Sequence, residues 1–227
     1  KEKKIDIAIH RNTSNNIRDF IKHLLEIKQI NLGRFVYLDD GFYFFKNSQI
    51  ASFLNTDYTV KLYKVFFPSN VENSKKIYIS RRNAKWRKII NEIDYYSELE
   101  KYGFEILDLE NFSVRDQIHK IQSAKKIIAP HGSGLAHILF AQADIKVVEV
   151  LQKNIPRKLT DLYSKYKIIS QIKKNKHLHF GADLVSNDQI HEVITSDIRH
   201  YISTDVLRNN PYYKNLIVRE NEIKKLI

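Results

Sequence analysis

The chain contains no cysteine and no methionine among its 227 residues. Without thiols it has no disulfide framework, no thiolate metal site and no cysteine nucleophile. It also lacks any apolar run near the roughly 18–20 residues that a membrane-spanning helix requires. No charged, apolar and small-residue leader pattern opens the sequence, so no targeting segment is expected. Acidic residues are in short supply, with 26 Asp and Glu against 38 Lys and Arg, a net charge of +12. Such an excess invites a nucleic-acid partner. However, no zinc-finger, helix-turn-helix or ribonucleoprotein aromatic signature accompanies it, and no nucleic acid is expected. The basic residues are spread along the chain, with short runs at Lys1–Lys4, Lys173–Lys176 and Lys224–Lys225. They fit a solvated basic surface, or attraction to anionic substrates and an anionic membrane face.

What is present suits a globular protein. Hydrophobic residues are 43% and charged residues 28%, with enough bulk for one large domain or two small ones. Ile5–Ile9 alternates as a strand, and a polar turn follows from His10. Apolar residues at Ile17, Phe20, Ile21, Leu24, Leu25 and Ile27 recur at helical spacing, predicting a helix over 16–30 with Gly33 as its cap. Phe35–Leu38 reads as a second strand ending at Asp39-Asp40-Gly41. A third apolar run, Val60 to Phe67, stops at Pro68-Ser-Asn, taken as a linker. Beyond it the pattern predicts strands at 76–80, 104–107, 127–129 and 147–150. Helices are expected at 86–101, 113–123 (capped by Ser113), 134–140, 160–166 and 187–203, with a last one from about 213. Alternating short apolar strands and helices specify an α/β fold with a parallel sheet.

The most informative stretch is Ala124-Lys-Lys-Ile-Ile-Ala-Pro-His131-Gly132-Ser133-Gly134-Leu-Ala-His137, closing on Val147-Val148-Glu149-Val150. It reads as a buried strand, a glycine turn, a helix and a strand ending in a carboxylate. Gly132 and Gly134 permit a sharp turn and close approach to the next helix's N–H groups, where the dipole favours an anion such as phosphate. Upstream lie Tyr78-Ile-Ser-Arg81-Arg82, Arg87, Asn91-Glu92, Tyr102-Gly103-Phe104 and Gln117. In this order and spacing, Ile77 to Val150 closely resembles the glycosyltransferase family 61 domain. That family has Ser-Arg at a strand end, a second arginine six residues on, then Asn-Glu, a Gly-Phe turn, a helical Gln, a His-Gly-small-Gly-Leu turn and a strand-end Glu. One departure is His137, where the family usually has Asn.

The resemblance implies a GT-B-like α/β fold, two Rossmann-like βα halves facing a cleft, with the N-terminal half short. The divisions expected are an acceptor-side half at 1–70, a nucleotide-sugar half at 71–205, and a C-terminal helix at 206–227. It further implies an inverting, metal-independent transfer from a nucleotide-diphosphate sugar to a glycan acceptor, in surface polysaccharide (capsule or lipopolysaccharide) biosynthesis. No cofactor is expected beyond that co-substrate. The alternative is a non-catalytic nucleotide- or glycan-binding Rossmann-like module of a larger assembly. A cytoplasmic location is expected, and peripheral contact with an anionic inner-membrane face, through Lys173, Lys174, Lys176, Lys224 and Lys225, stands beside a merely soluble basic enzyme.

Arg81, at a strand's C-terminal end, is placed for paired hydrogen bonds to a diphosphate. Arg87 is a second phosphate candidate, and Arg82 points the other way. His131, Gly132, Ser133 and Gly134 form the phosphate turn, where His131 would contact a phosphate or a sugar hydroxyl or simply hold the turn. Glu149 is a candidate ribose ligand. Gln117 is open between facing the nucleotide and a structural role, while Asn91, Glu92 and His137 read as structural. Inverting transfer also needs a base for the acceptor hydroxyl. In the family this is a His in an Asn-x-x-His-aromatic setting; Asn16-Ile-Arg-Asp19-Phe20 puts Asp19 in its place. His10 and Asp40, at strand ends, compete, although Asp39-Asp40-Gly41 also reads as an ordinary turn. No Asp-x-Asp ends a strand, and the spacing of His131 and His137 suits no metal.

Overall fold

The computed structural model describes residues 4–46, 56–84, 87–185 and 214–227. The N-terminal part is a parallel βαβ unit. Strand β1 (Ile5–His10) pairs with β2 (Leu32–Leu38), and helix α1 (Asn15–Ile27) crosses between them. The third apolar run forms helix α2 (Thr56–Phe66). Gly33 lies inside β2, and the cap of α1 is Lys28.

The larger part is a sheet of six strands: β3 (Lys75–Ile79), β4 (Phe104–Leu107), β5 (Ala124–Pro130), β6 (Lys146–Gln152), β7 (Lys176–Val185) and β8 (Asn215–Ile217). Their spatial order is β4-β3-β5-β6-β7-β8, parallel throughout except for β8 on β7. The remaining helices are α3 (Tyr96–Lys101), α4 (Val114–Gln122), α5 (Thr160–Ile172) and the short α6 (Ile223–Leu226).

Alternation along the strands builds two cores. Ile77, Ile79, Ile127, Ala129 and Val147 face α4, α5 and the turn after β5, meeting Ile121, Tyr166, Leu135 and Ile138. Tyr78, Ile128, Val148 and Val150 face the other way, onto Tyr95, Leu99, Ile223 and Leu226. Each fully buried aliphatic side chain contributes roughly 1.5–3 kcal/mol by leaving water. Helices therefore cover both faces of the sheet. From β3 the chain passes first to β4 on one side and then to β5 on the other, so the connections leaving β3 and β5 diverge. The crevice outside the carboxyl ends of those two strands is where an open α/β sheet binds ligands.

Three expectations need correction. The helix expected over 86–101 is confined to a 3₁₀ turn at Glu92–Tyr95 and to α3. Arg87 takes a left-handed conformation (φ 57°), and Lys88–Ile90 are drawn into extended pairing with Leu216 on β8. The helix after Gly132 is a 3₁₀ segment, Ser133–Leu139, because Leu135 N–H bonds to Gly132 O and the His137 ring lies against the Gly134 carbonyl. The chain from 215 is a strand before it is helical, since Asn215–Ile217 finds an open edge on β7. The helix expected at 187–203 lies outside the described residues. The two parts meet through an aromatic cluster: Phe20 of α1, Tyr63 of α2, Phe67 and Phe140, with ring centroids 5.0–6.2 Å apart.

Candidate active site

The chain leaves β3 as Ser80-Arg81, and a buried carboxylate fixes that exit. Glu92 accepts from the Tyr78 hydroxyl and the Ser80 hydroxyl, both at 2.8 Å, and lies 3.5 Å from the Arg81 backbone N–H. Tyr96 adds a 3.0 Å bond to Ser80 Oγ. Burial pushes the Tyr78 phenol well above its ordinary pKa and the Tyr96 phenol up to about 12, so both stay donors. Held this way, Arg81 lays its guanidinium on Gly132, where a methyl group would overlap it. Glycine at 132 is needed for that close approach; its extended backbone (φ 160°) makes no such demand. A cleft of about 360 Å³ opens here, lined by Ser80, Arg81, Asn83, Asp108, Ser133 and Gly134. Its rim is tied by an Arg82–Asp108 ion pair and an Asn83–Glu110 hydrogen bond.

Behind the turn lies a buried polar chain. His131 (2% exposed) donates from Nδ1 to Glu149 Oε1 at 2.5 Å. Glu149 (0% exposed) also takes His177 Nε2 at 2.9 Å, and His179 Nε2 stands 3.4 Å away. Burial alone would raise the Glu149 pKa, but the three histidines outweigh it and hold the carboxyl below the usual range. Burial pushes the His131 imidazole below its ordinary value, Glu149 pulls it partway back, and Arg87 and Lys165 push it down again. With its Nδ1–H on Glu149, His131 lies behind the turn and lines neither cleft. Tyr163 and Tyr166 of α5 flank the ring at 4.5 and 5.1 Å.

On the other side of the turn, Gln117 of α4 donates to the carbonyls of Leu109 (2.8 Å) and Phe112 (2.9 Å). Its Oε1 lies 2.8 Å from His137 Nε2, and Gly134 O lies 2.9 Å from His137 Nδ1; the neutral ring, with one N–H, donates to one of these two oxygens. Burial keeps the His137 pKa below its ordinary value. This side opens into a second, more apolar cleft of about 420 Å³. Asn16, Ile17 and Phe20 of α1 face Ser133, Gly134 and His137 across it.

The structure thus brings Arg81, Ser133 and Gly134 to one cleft, with Gly132 beneath the Arg81 guanidinium, His131 behind the turn, and Arg87 near enough to act on His131. Glu149 sits mid-strand in β6, beneath the surface and against His131. Gln117 is buried and braces the turn. Of the base candidates, His10 Nε2 pairs with Asp40 Oδ1 at 2.9 Å, and His10 Nδ1 accepts from Asn12 N–H. Asp19 is exposed beside Lys22 and does not line the cleft, whereas Asn16 and Phe20 do. Two neighbours of Glu149, His177 and His179, went unread in the sequence. The sign available was His-Leu-His-Phe, an alternation one strand beyond Glu149.

The glycosyltransferase 61 family pattern matches residues 6–148, more than half of the chain. The protein belongs to the glycosyltransferase 61 family. A beta-1,2-xylosyltransferase of Arabidopsis thaliana is 34% identical over 71 residues, which is 30% of this chain and 13% of that protein's length.

Proposed function

We propose that this chain is an inverting glycosyltransferase that moves a sugar from a nucleotide-diphosphate donor to a glycan acceptor, acting in surface polysaccharide biosynthesis. The observation that carries this reading is the Arg81 guanidinium seated on Gly132 at the crevice between β3 and β5. A diphosphate entering there meets a fixed cation and the backbone of the Ser133–Gly134 turn. Charge then develops on the departing phosphate next to preorganised donors, where stabilisation of the transition state is most effective. Arg87 adds positive potential, and the buried His131 holds the turn from behind through its bond to Glu149. Glu149 acts through His131, and Gln117 through His137 and the turn. The more apolar cleft between α1 and the turn takes the acceptor, making the two parts a short version of the GT-B arrangement. Asp19, His10 and Asp40 line neither cleft, and the three stay the base candidates of this reading. The named relative is a xylosyltransferase, so a nucleotide-linked pentose heads the donor panel, with hexoses beside it.

A second reading is favoured by the placement of the base candidates. Asp19 lies off the cleft, and both ring nitrogens of His10 are engaged, which suits a module that holds a nucleotide without transferring a sugar. Arg81→Ala and His10→Ala decide between them. Under the enzyme reading, transfer is lost in Arg81→Ala with the thermal transition preserved, and nucleotide affinity survives in His10→Ala while turnover falls. Near-normal turnover in Arg81→Ala overturns its role. Nucleotide binding with no transfer by the unaltered chain across the donor panel establishes the module.

At the membrane, the proposal narrows. Lys173 turns inward, with Nζ 3.2 Å from Leu139 O and a pKa lowered by burial and by Lys64. Lys174, Lys176, Lys224 and Lys225 are exposed and remain the candidates for peripheral contact at the cytoplasmic face.

A further inference from the structure

We propose that Glu149, His177 and His179 form a binding site for one divalent transition-metal ion of the zinc class, adjoining the donor pocket but outside it. The site follows from strand pairing. Glu149 of β6 stands opposite His179 of β7 in the parallel register. His177 lies two residues before His179, so both imidazoles emerge on the same face as the carboxylate. The three ligand atoms lie within 4.8 Å of one another. Glu149 Oε2 is 2.9 Å from His177 Nε2 and 3.4 Å from His179 Nε2. Tetrahedral coordination at about 2.0–2.1 Å places neighbouring donor atoms roughly 3.3 Å apart, so little movement admits an ion.

The surroundings match what such ligands need. A ligating histidine is oriented by a hydrogen bond at its other nitrogen, and a ligating carboxylate by a donor on its second oxygen. Ser170 Oγ, fully buried on α5, lies 2.8 Å from His177 Nδ1. A hydroxyl can accept from that nitrogen when Nε2 binds a metal, or donate to it when it does not. His131 occupies Glu149 Oε1, leaving Oε2 toward the two histidines. The His177 side chain is 2% exposed and that of His179 is 34% exposed, giving a path for the ion and for a fourth, solvent-derived ligand. Two imidazoles and one carboxylate favour zinc, cobalt or nickel over magnesium or calcium. Bound there, the ion ties β6 to β7 and stiffens the carboxylate that holds His131. It has no contact with the diphosphate and takes no part in transfer.

The test uses the untagged chain stripped with chelator and titrated with Co²⁺ alone, followed by visible absorption and calorimetry, then displaced by Zn²⁺. The expected result is one saturable equivalent with ligand-field bands, weakened at least tenfold in His179→Ala while circular dichroism stays native. His179→Gln, which keeps bulk and polarity but loses the imidazole, is the second variant and should match His179→Ala. The chain has 9 histidines, so weak further uptake decides nothing; dependence on His179 does. Absence of a saturable equivalent, or tight uptake unchanged in both variants, overturns the site. It would leave the three histidines as hydrogen-bond donors to Glu149 only.

Discussion

Replacing Gly132 with alanine should separate donor binding from folding. The added methyl would occupy the place of the Arg81 guanidinium, the tip of a flexible side chain. The backbone at 132 is extended and accepts alanine without strain. The fold should therefore survive, with Arg81 swung off its seat. A hydrogen bond to a charged group contributes about 1.5–3 kcal/mol, and every 1.4 kcal/mol is about tenfold in affinity. Losing one Arg81–phosphate bond should weaken binding of UDP, used as the probe, by about ten- to a hundredfold. Calorimetry measures this, and a melting curve should shift by no more than about 2 °C, which corresponds to about 0.5–1 kcal/mol for a chain of this size. A double-mutant cycle with Arg81→Ala adds a stricter condition. If Gly132 acts by seating Arg81, the second substitution adds little to the first. Unchanged UDP affinity in Gly132→Ala would refute the reasoning, as would fully additive losses.

Two further outcomes follow from the packing. Lys126 stands in register between Lys76 and Lys146 and is nearly buried, and its pKa is pushed down to about 8, by burial first and then by those neighbours. A lysine depressed this way opposes folding while charged, so stability should rise with pH between about 8 and 10.5; Lys126→Met should raise the melting point at pH 7, and that gain should fade by pH 10.5. Phe67, buried against Phe20, Tyr63 and Phe140, should cost about 3 kcal/mol in denaturant unfolding when replaced by alanine; a loss below about 1 kcal/mol would mean that the aromatic cluster does not join the two parts.

The sequence showed this protein's strands better than its helices. Phe104–Leu107 was legible to the residue because a Gly-Phe turn and a short apolar run bracket it, and Ser113 was legible as a cap that accepts from Asp116 N–H. The Arg81 and Gly132 elements were legible as separate motifs, but their contact was not, since it depends on Glu92 bracing Ser80 from 12 positions away. The stretch after Trp86 misled because its apolar residues are helically spaced, yet Lys88–Ile90 answer to a strand more than 120 residues later. Strand β7 was unread because its alternation is inverted. His177 turns inward to serve Glu149, while Leu178 and Leu184 are more than a third exposed. Glu149 itself seemed a strand-end ligand only because Leu151 and Gln152, which extend β6 past it, were not counted as strand.

The pairing of Lys88–Ile90 with β8 also bears on how the protein is made. Leu216 N–H bonds to Lys88 O, Ile90 N–H bonds to Leu216 O, and Asn91 exchanges two bonds with Val218. Arg87, which shapes the field at His131, thus precedes a segment whose partner emerges from the ribosome about 127 residues later. During synthesis β3, β5 and the glycine turn can pack while Arg87 still lacks its anchor. The stretch carrying Arg87 is therefore fixed late, and a chain held on the ribosome before residue 214 should lack β8 and leave Lys88–Ile90 without their strand partner.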